Sequence, residues 1–317
     1  MKDAPIRMRS LLSVPAVRTD FFEKAARGPA DALMLDLEDA VFAEHKLRAR
    51  ATARDALEKI DWKHKRVLVR MNALDTEWGF RDLVELGSSC PRLDGFMAPK
   101  VNSVEELRYL ERTLDHLDAE RPPDRALELH ILVETALGVS RVEQILEASR
   151  RLLSVSFGVG DYSMSIGGAD RLIGGANKDY VILTDGQDGA GRQEHWNDQW
   201  HYASARIANA CYAHGVTAID GVYGNFSDAD GFRAAARRAR TLGYVGKWAI
   251  HPTQIALAHE VFSPSAEEIS WANRVKDALA VAQAAGKGAA QLDGRLIEAA
   301  TLKIVDQLLA RADEKWT

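Results

Sequence analysis

Eight short apolar runs, interleaved with helical stretches, constrain this chain more than any other feature. The runs are 11-LLSVP, 32-ALMLDLED, 66-RVLVRMN, 95-GFMAPKV, 127-LELHILVET, 152-LLSVSFGVGD, 216-VTAIDGV and 246-GKWAIHP. Most are apolar on both faces, as strands buried in a parallel sheet are. The stretches between them carry helix signals. Ser103 with Glu106, Ser140 with Glu143 and Ser265 with Glu268 each have the spacing of a capping box. Leu107, Leu110, Leu114 and Leu117 share one face of the helix that Ser103 opens. This alternation predicts parallel βαβ units with right-handed crossovers. Eight such units in about 250 residues predict an α/β protein with the closed (β/α)8 TIM-barrel architecture. A doubly wound open sheet is the alternative. It ordinarily carries a glycine-rich turn after its first strand, and 11-LLSVPAVR has no glycine.

The barrel is expected over residues 1–262. Residues 163–196 interrupt the rhythm with a long connection rich in glycine and polar residues, read as a lid over the barrel mouth or as a mobile segment. Residues 263–317 carry two further helices separated by 286-GKGAAQLDG. They are read as a helical extension or lid that packs on a neighbouring subunit.

A net charge of −5 gives no general attraction to phosphate backbones or anionic lipid, so neither nucleic acid nor membrane is expected as a partner. No apolar run approaches the roughly 18–20 residues of a spanning helix, and the N-terminus MKDAPIRMRS has no apolar signal core. The expected location is the cytoplasm. Cys90 and Cys211 are too few for a disulfide framework or a zinc site and are read as plain helix or loop residues.

In this architecture chemistry sits at the C-terminal ends of the strands. Those ends carry Asp36, Glu38 and Asp39 on strand 2, Arg70 and Asn72 on strand 3, Lys100 on strand 4 and Glu134 with Thr135 on strand 5. Asp161 follows on strand 6, Asp220 on strand 7, and His251 with Pro252 on strand 8. Any one of them is readable as a solvated loop charge; their concentration is harder to explain that way. Glu134 and Asp161 end neighbouring strands about 4.8 Å apart, within reach of one ion. A pair of carboxylates completed by water and substrate oxygens suits Mg²⁺, with Mn²⁺ as a substitute, and the lack of His or Cys argues against zinc. Alternatively, Arg70 or Lys100 alone neutralises the pair. Arg70 suits a developing oxyanion; the competing reading makes it a structural bridge to Asp36 or Glu38. Asp36 and Glu38 are candidates to orient metal waters behind the ligands. Lys100 either joins them or merely balances charge.

The motifs 10-SLLSVPAVRTDFFEKA, 33-LMLDLEDAV, 68-LVRMN, 97-MAPKV, 131-ILVET, 157-FGVGDYS and 247-KWAIHPTQI resemble the citrate lyase β-subunit family of acyl-CoA ester lyases, related to the HpcH/HpaI aldolases. The stretch from 194-EHWNDQWHYASARIANAC through 219-IDGVYGNFSDADGFRAAARRARTLGYVGKWAIHP to 262-FSPS is similar to the malyl-CoA/β-methylmalyl-CoA branch. The resemblance implies a Mg²⁺-dependent carbon–carbon lyase. Such an enzyme splits malyl-CoA or β-methylmalyl-CoA into glyoxylate and acetyl-CoA or propionyl-CoA, reversibly by Claisen condensation. It implies Glu134 and Asp161 as metal ligands, Arg70 at the thioester carbonyl, and Gly160 and Asp161 cradling glyoxylate. Ser13, Val14, Arg18, Lys24, Ile250 and His251 are implied around the CoA thioester, Arg18 and Lys24 toward its phosphates. The family's usual general acid is an Asp four residues after a Gly, delivered by an adjacent subunit. Here 293-DGRLIEAA places Glu298 at that position, with Asp293 the other candidate. Delivery from a neighbour implies a homo-oligomer, a trimer or hexamer.

Within this reading a malyl-CoA thioesterase and a citramalyl-CoA lyase stay open. A CoA-independent aldolase is disfavoured by Arg18, Lys24 and the added C-terminal helices. A non-catalytic assembly barrel is disfavoured by the ionisable strand ends.

Overall fold

Every one of the eight runs is a strand in the computed structural model, which describes residues 7–168, 172–184, 186 and 191–312. The strands are β1 (Ser10–Pro15), β2 (Ala32–Asp36), β3 (Arg66–Arg70), β4 (Gly95–Ala98), β5 (Glu128–Val133), β6 (Leu152–Phe157), β7 (Thr217–Asp220) and β8 (Gly246–Ala249). They pair in parallel in the order β1-β8-β7-β6-β5-β4-β3-β2 and close on themselves, so the fold is the barrel rather than the open sheet.

The two-residue period of a strand decides what enters the barrel. Leu11, Met34, Leu68, Met97, Leu132, Ile219 and Trp248 pack together as its interior, every one of them buried. Two residues further along β2 and β3, and just past β5, the same face carries Asp36, Arg70 and Glu134. Register then sets the neighbours: Pro15, Asp36, Arg70 and Met97 lie level across four strands, as do Val133 and Phe157 across the next pair. The apolar plug holds this polar layer in place. Truncating Leu68 to Ala is expected to cost about 2–5 kcal/mol. Residues one step out of phase face the helices. Asp220 is such a residue: it pairs with buried Lys247 beside it, so the strand 7 carboxylate is a structural ion pair and does not belong to the interior layer.

The helices are α1 (Thr19–Arg27), α2 (Lys46–Lys59), α3 (Gly79–Ser89), α4 (Val104–Asp118), α5 (Ala136–Ala148), α6 (Val159–Ser165), α7 (His201–His214), α8 (Ala229–Leu242) and α9 (Thr253–Phe262). Ser103 caps α4 as expected: its hydroxyl accepts from Glu106 N at 3.2 Å, and Ser103 N donates back to the Glu106 carboxylate at 3.0 Å. Leu107, Leu110 and Leu114 are buried on that helix, Leu117 only partly. The Ser140–Glu143 start is corrected. Thr135 caps α5 through Gly138 N, leaving Ser140 inside the helix while Glu143 pairs with Arg206 at 2.7 Å. A close-fitting Thr cap one turn earlier wins over a spacing that only imitates one. The long connection is partly ordered, with Val181–Leu183 pairing antiparallel to Glu194–Trp196. Residues 169–171, 185 and 187–190 of the expected lid lie outside the described residues.

The chain divides into two compact units, Met1–Ala258 and His259–Thr317. In the second, the two expected helices, α10 (Ala266–Ala284) and α11 (Ala299–Ala312), flank a hairpin of Ala289–Leu292 with Arg295–Glu298. Asp293 and Gly294, both at positive φ, make its two-residue turn. Ala272, Val275, Ile297 and Val305 form a core within this unit. Ser265 caps α10 with Glu268 as expected. Cys90 and Cys211 are free and buried. Among the described residues no helix is long and apolar enough to cross a membrane.

Candidate active site at the barrel mouth

The strand ends open into a cavity of 380 Å³ lined by Ser13, Asp36, Arg70, Glu134, Gly160 and Asp161 among others. Cross-strand register explains the first contact. Arg70 stands opposite Asp36 and grips it with two parallel hydrogen bonds, Nε to Oδ1 at 2.8 Å and Nη2 to Oδ2 at 2.6 Å. Its Nη1 lies 3.1 Å from Glu38 Oε2, and its guanidinium carbon 5.6 Å from the Trp248 ring. The structural bridge weighed from sequence therefore exists, and the same Arg70 also lines the cavity. Burial works against its charge, yet Asp36, Glu38 and Glu134 hold its pKa above the ordinary value. This guanidinium is a fixed, permanent cation.

Glu38 and Asp39 leave β2 in a turn pinned by Glu38 N on Asp36 Oδ1 at 2.9 Å and by the Lys46 ammonium on Glu38 O at 2.7 Å. Glu38 is buried beneath the cavity wall, between Arg70 and Lys100. Burial pushes its carboxyl up to about 6 against the pull of Arg70. Burial raises the Asp39 carboxyl too, but its hydrogen bond with Glu38 and the charges of Arg70 and Lys100 outweigh that and shift it down.

Lys100 does more than balance charge. Its φ of 53° is left-handed, a strained conformation for a residue with a side chain. That twist aims its N–H at Glu134 Oε1, 2.9 Å away. Its ammonium pairs with Glu38, lies 3.4 Å from Asp39 and 3.0 Å from Asp161 Oδ2. Burial opposes its charge, and Glu38 and Asp161 more than restore it, raising its pKa.

Glu134 follows β5, is 3% exposed, and packs against Gly158. A Cβ on Gly158 would collide with Glu134 Cβ and Oε2, so only glycine fits there. Burial drives the Glu134 carboxyl well above its ordinary pKa; Arg70 pulls it back, while Asp161 and Glu38 add to the rise. Asp161 does not end a strand as expected. It sits in the first turn of α6, four residues past Phe157, so the chain turns through Gly158 to bring it back over the barrel. Its Oδ2 is buried and faces the Lys100 ammonium at 3.0 Å.

This donor set fits a divalent cation. Among the described residues Asp36, Glu38, Asp39, Glu134 and Asp161 face Arg70, Lys100 and Lys46, which leaves more carboxylates than cations at these strand ends. Hard carboxylate oxygens, one facing only an ammonium and one costly to keep ionised, are what Mg²⁺ or Mn²⁺ takes, with waters and a ligand filling the remaining positions.

The other expected residues scatter. Ser13 and Ile250 line the cavity, and Val14, one residue out of phase, is buried away from it. Exposed Arg18 is held by Asp20 at 3.0 Å and lies over the Phe21 ring at 3.8 Å, with the Lys24 ammonium 5.9 Å from the same ring. His251 stacks on Phe226 at 4.8 Å. In the second unit, Glu298 closes the hairpin with its N–H on Thr301 Oγ1 at 3.3 Å, and Asp293 in the turn pairs with Arg274; both are exposed. Leu132, Trp248, Val222 and Ile173 complete the cavity wall and were missed. The first two were within reach of a period-two count back from Glu134 and Ile250. Ile173 comes from the long connection, where no period exists.

Residues 9–252 match the family described as HpcH/HpaI aldolase/citrate lyase. Over 306 residues the chain is 40% identical to the L-malyl-CoA/β-methylmalyl-CoA lyase of Cereibacter sphaeroides, covering 96% of this chain and 94% of that protein. A (3S)-malyl-CoA thioesterase from the same organism is 34% identical over 308 residues, with 96% and 94% covered. Among solved structures, protein CitE of Mycobacterium tuberculosis in complex with magnesium, acetoacetate and coenzyme A has a TM-score of 0.73 and 28% identity, covering 98% of this chain and 99% of that chain.

Proposed function

This chain belongs to the HpcH/HpaI aldolase/citrate lyase family, and on that premise we propose that it is a Mg²⁺-dependent lyase that splits malyl-CoA or β-methylmalyl-CoA into glyoxylate and acetyl-CoA or propionyl-CoA, or joins them. The observation that carries this reading is a buried, doubly anchored Arg70 beside a surplus of carboxylates in one cavity. The first suits an enolate oxygen, the second a divalent ion.

Glu134 and Asp161 would hold the ion. When bound, Mg²⁺ supplies Lewis acidity toward the hydroxyl and carboxylate oxygens of the malyl end. The chain's own residues do the rest. Loss of the malyl hydroxyl proton to solvent and breaking of the C–C bond leave an aldehyde acid and the enolate of the acyl thioester. Arg70, fixed by Asp36 before substrate arrives, offers its charge where the enolate oxygen becomes negative, with no reorganisation needed. Leu132, Phe157 and Trp248 wall the cavity with apolar surface that excludes water from the enolate. Arg18 and Lys24, following the C-terminal end of β1, are the charges available to the CoA phosphates. Glu298, or Asp293 in its place, returns the proton to the enolate carbon from a neighbouring copy, so the working form is a trimer or hexamer. As an enzyme of dissolved CoA thioesters it is assigned to the cytoplasm.

The thioesterase relative keeps a second reading in play, at lower identity. Incubating the protein with (S)-malyl-CoA and Mg²⁺, with and without EDTA, separates the two. Glyoxylate without free CoA thiol is expected. Free CoA without glyoxylate would transfer the assignment to the thioesterase, and turnover that survives chelation would overturn the metal site.

A further inference from the structure

One apolar side chain of the long connection stands at the metal end of the cavity. Ile173 Cγ2 lies 3.4 Å from where a Cβ on Gly160 would stand, and its Cδ1 lies at 3.7 Å. Gly160 neighbours Asp161 in the first turn of α6. Ile173 is therefore the first side-chain surface met above the bare backbone beside the candidate ligand. It is 51% exposed and, unlike the connection's other exposed apolar side chains such as Ile166, Leu172 and Ile182, it lines this cavity.

Its position is held from below. Gly224 N donates to Ile173 O at 2.8 Å, tying the connection to the segment after β7. The next residue, Gly174, has φ of 74° and passes so close to Val222 O that a Cβ would strike it. A residue branched at Cβ, with few χ1 choices, on a segment sewn down by a hydrogen bond and a glycine contact, is a stiff wall.

We propose that Ile173 is a specificity-determining residue: it limits the oxo-acid end of the cavity to an aldehyde acid such as glyoxylate and excludes 2-oxo acids carrying a methyl or larger group. This rests on the lyase reading for the identity of the oxo acid. Glyoxylate has hydrogen where pyruvate has a methyl. Discrimination of one methyl by a close-fitting apolar wall is worth about 10–200-fold.

The test is calorimetric titration of the Mg²⁺-loaded full chain with glyoxylate and with pyruvate, for wild type, Ile173→Ala and Ile173→Leu. Wild type is expected to favour glyoxylate at least tenfold. Ile173→Ala should erase most of that preference by gaining pyruvate, with Tm unchanged because the residue lies outside the buried core. Ile173→Leu, of equal volume but without the Cβ branch and its Cγ2, should keep only part of the preference. A preference unchanged in Ile173→Ala, equal binding of both acids by wild type, or no glyoxylate binding at all would overturn the proposal. A preference that behaves as expected in a protein unable to cleave malyl-CoA would overturn the lyase reading alone.

Discussion

The backbone N–H of Lys100 donates to Glu134 Oε1 at 2.9 Å. Because the ammonium of the same residue sits 3.0 Å from Asp161 Oδ2 and pairs with Glu38, one strained residue after β4 ties both candidate ligands together. Replacing Lys100 by Met keeps the N–H and removes the charge. Half-buried Asp161 then lacks its cation and buried Glu38 keeps only Arg70, a cost of about 1–3 kcal/mol. The chelated variant should melt several degrees below wild type, and saturating Mg²⁺ should recover part of the difference. Equal melting temperatures in EDTA would refute this role.

Glu134→Gln should separate stability from function. The amide still accepts from Lys100 N–H and removes a carboxylate whose ionisation burial opposes. Melting temperature in EDTA should rise, the stabilisation by Mg²⁺ should vanish, and turnover should fall at least about a thousandfold. Asp161→Asn should show the same loss of Mg²⁺ response. Near-normal activity in either variant would remove that residue from the metal site.

Arg70→Lys keeps the charge and loses the fork that grips Asp36. A point charge on a flexible stem is not held where the enolate oxygen forms. The expected loss in kcat is about 10²–10³-fold, with Mg²⁺ affinity close to wild type. A variant within tenfold of wild-type kcat would show that the fork is only structural.

Glu38 gives a pH signature. Burial lifts its carboxyl from 4.5 to about 6, so the folded chain holds this proton more tightly than the unfolded chain. Its stabilising contribution is full below about pH 4.5 and is lost as pH rises through about 6, roughly 2 kcal/mol in all. Glu38→Gln has no such proton to lose. In urea unfolding with EDTA, its stability relative to wild type should improve by about that amount between pH 4.5 and 7. A pH-independent difference would contradict the shift.

The proton donor is tested by pairing Glu298→Gln with Asp293→Asn. Asp293 is already engaged by Arg274 in the hairpin turn, whereas the Glu298 carboxylate stands exposed where the hairpin meets α11. Glu298→Gln should lower kcat the more, with Mg²⁺ affinity unchanged in both. The reverse ranking would assign the proton to Asp293.

The barrel was legible because a strand buried on both faces leaves an unmistakable apolar run, and because polar residues placed past such runs emerge at one end. Asp36, Arg70 and Glu134 follow from that alone, being in phase with Met34, Leu68 and Leu132. What lies between runs was not legible. The value of Lys100 depends on a left-handed backbone turn that no residue type announces. Asp161 was placed on a strand because the apolar run 152-LLSVSFGVGD continues into α6 without a break in hydrophobicity. The C-terminal hairpin had its Asp-Gly turn in plain view, but four-residue strands are too short to outweigh the helical patterns on either side. Ile173 reaches the cavity through folding of a connection whose sequence has no period.

The contact between Gly158 and the Glu134 carboxylate has a consequence for how such a barrel changes over generations. Any side chain at position 158 displaces the Glu134 carboxylate, and any shift of Glu134 needs the α6 turn to move with it. The floor is thus closed to single-step variation, whereas the rim above it, built by side chains that answer to no strand, is free to drift. A lineage of these enzymes would acquire new acceptor acids by editing its rim while inheriting its floor unaltered, and a protein engineer would be bound by the same asymmetry.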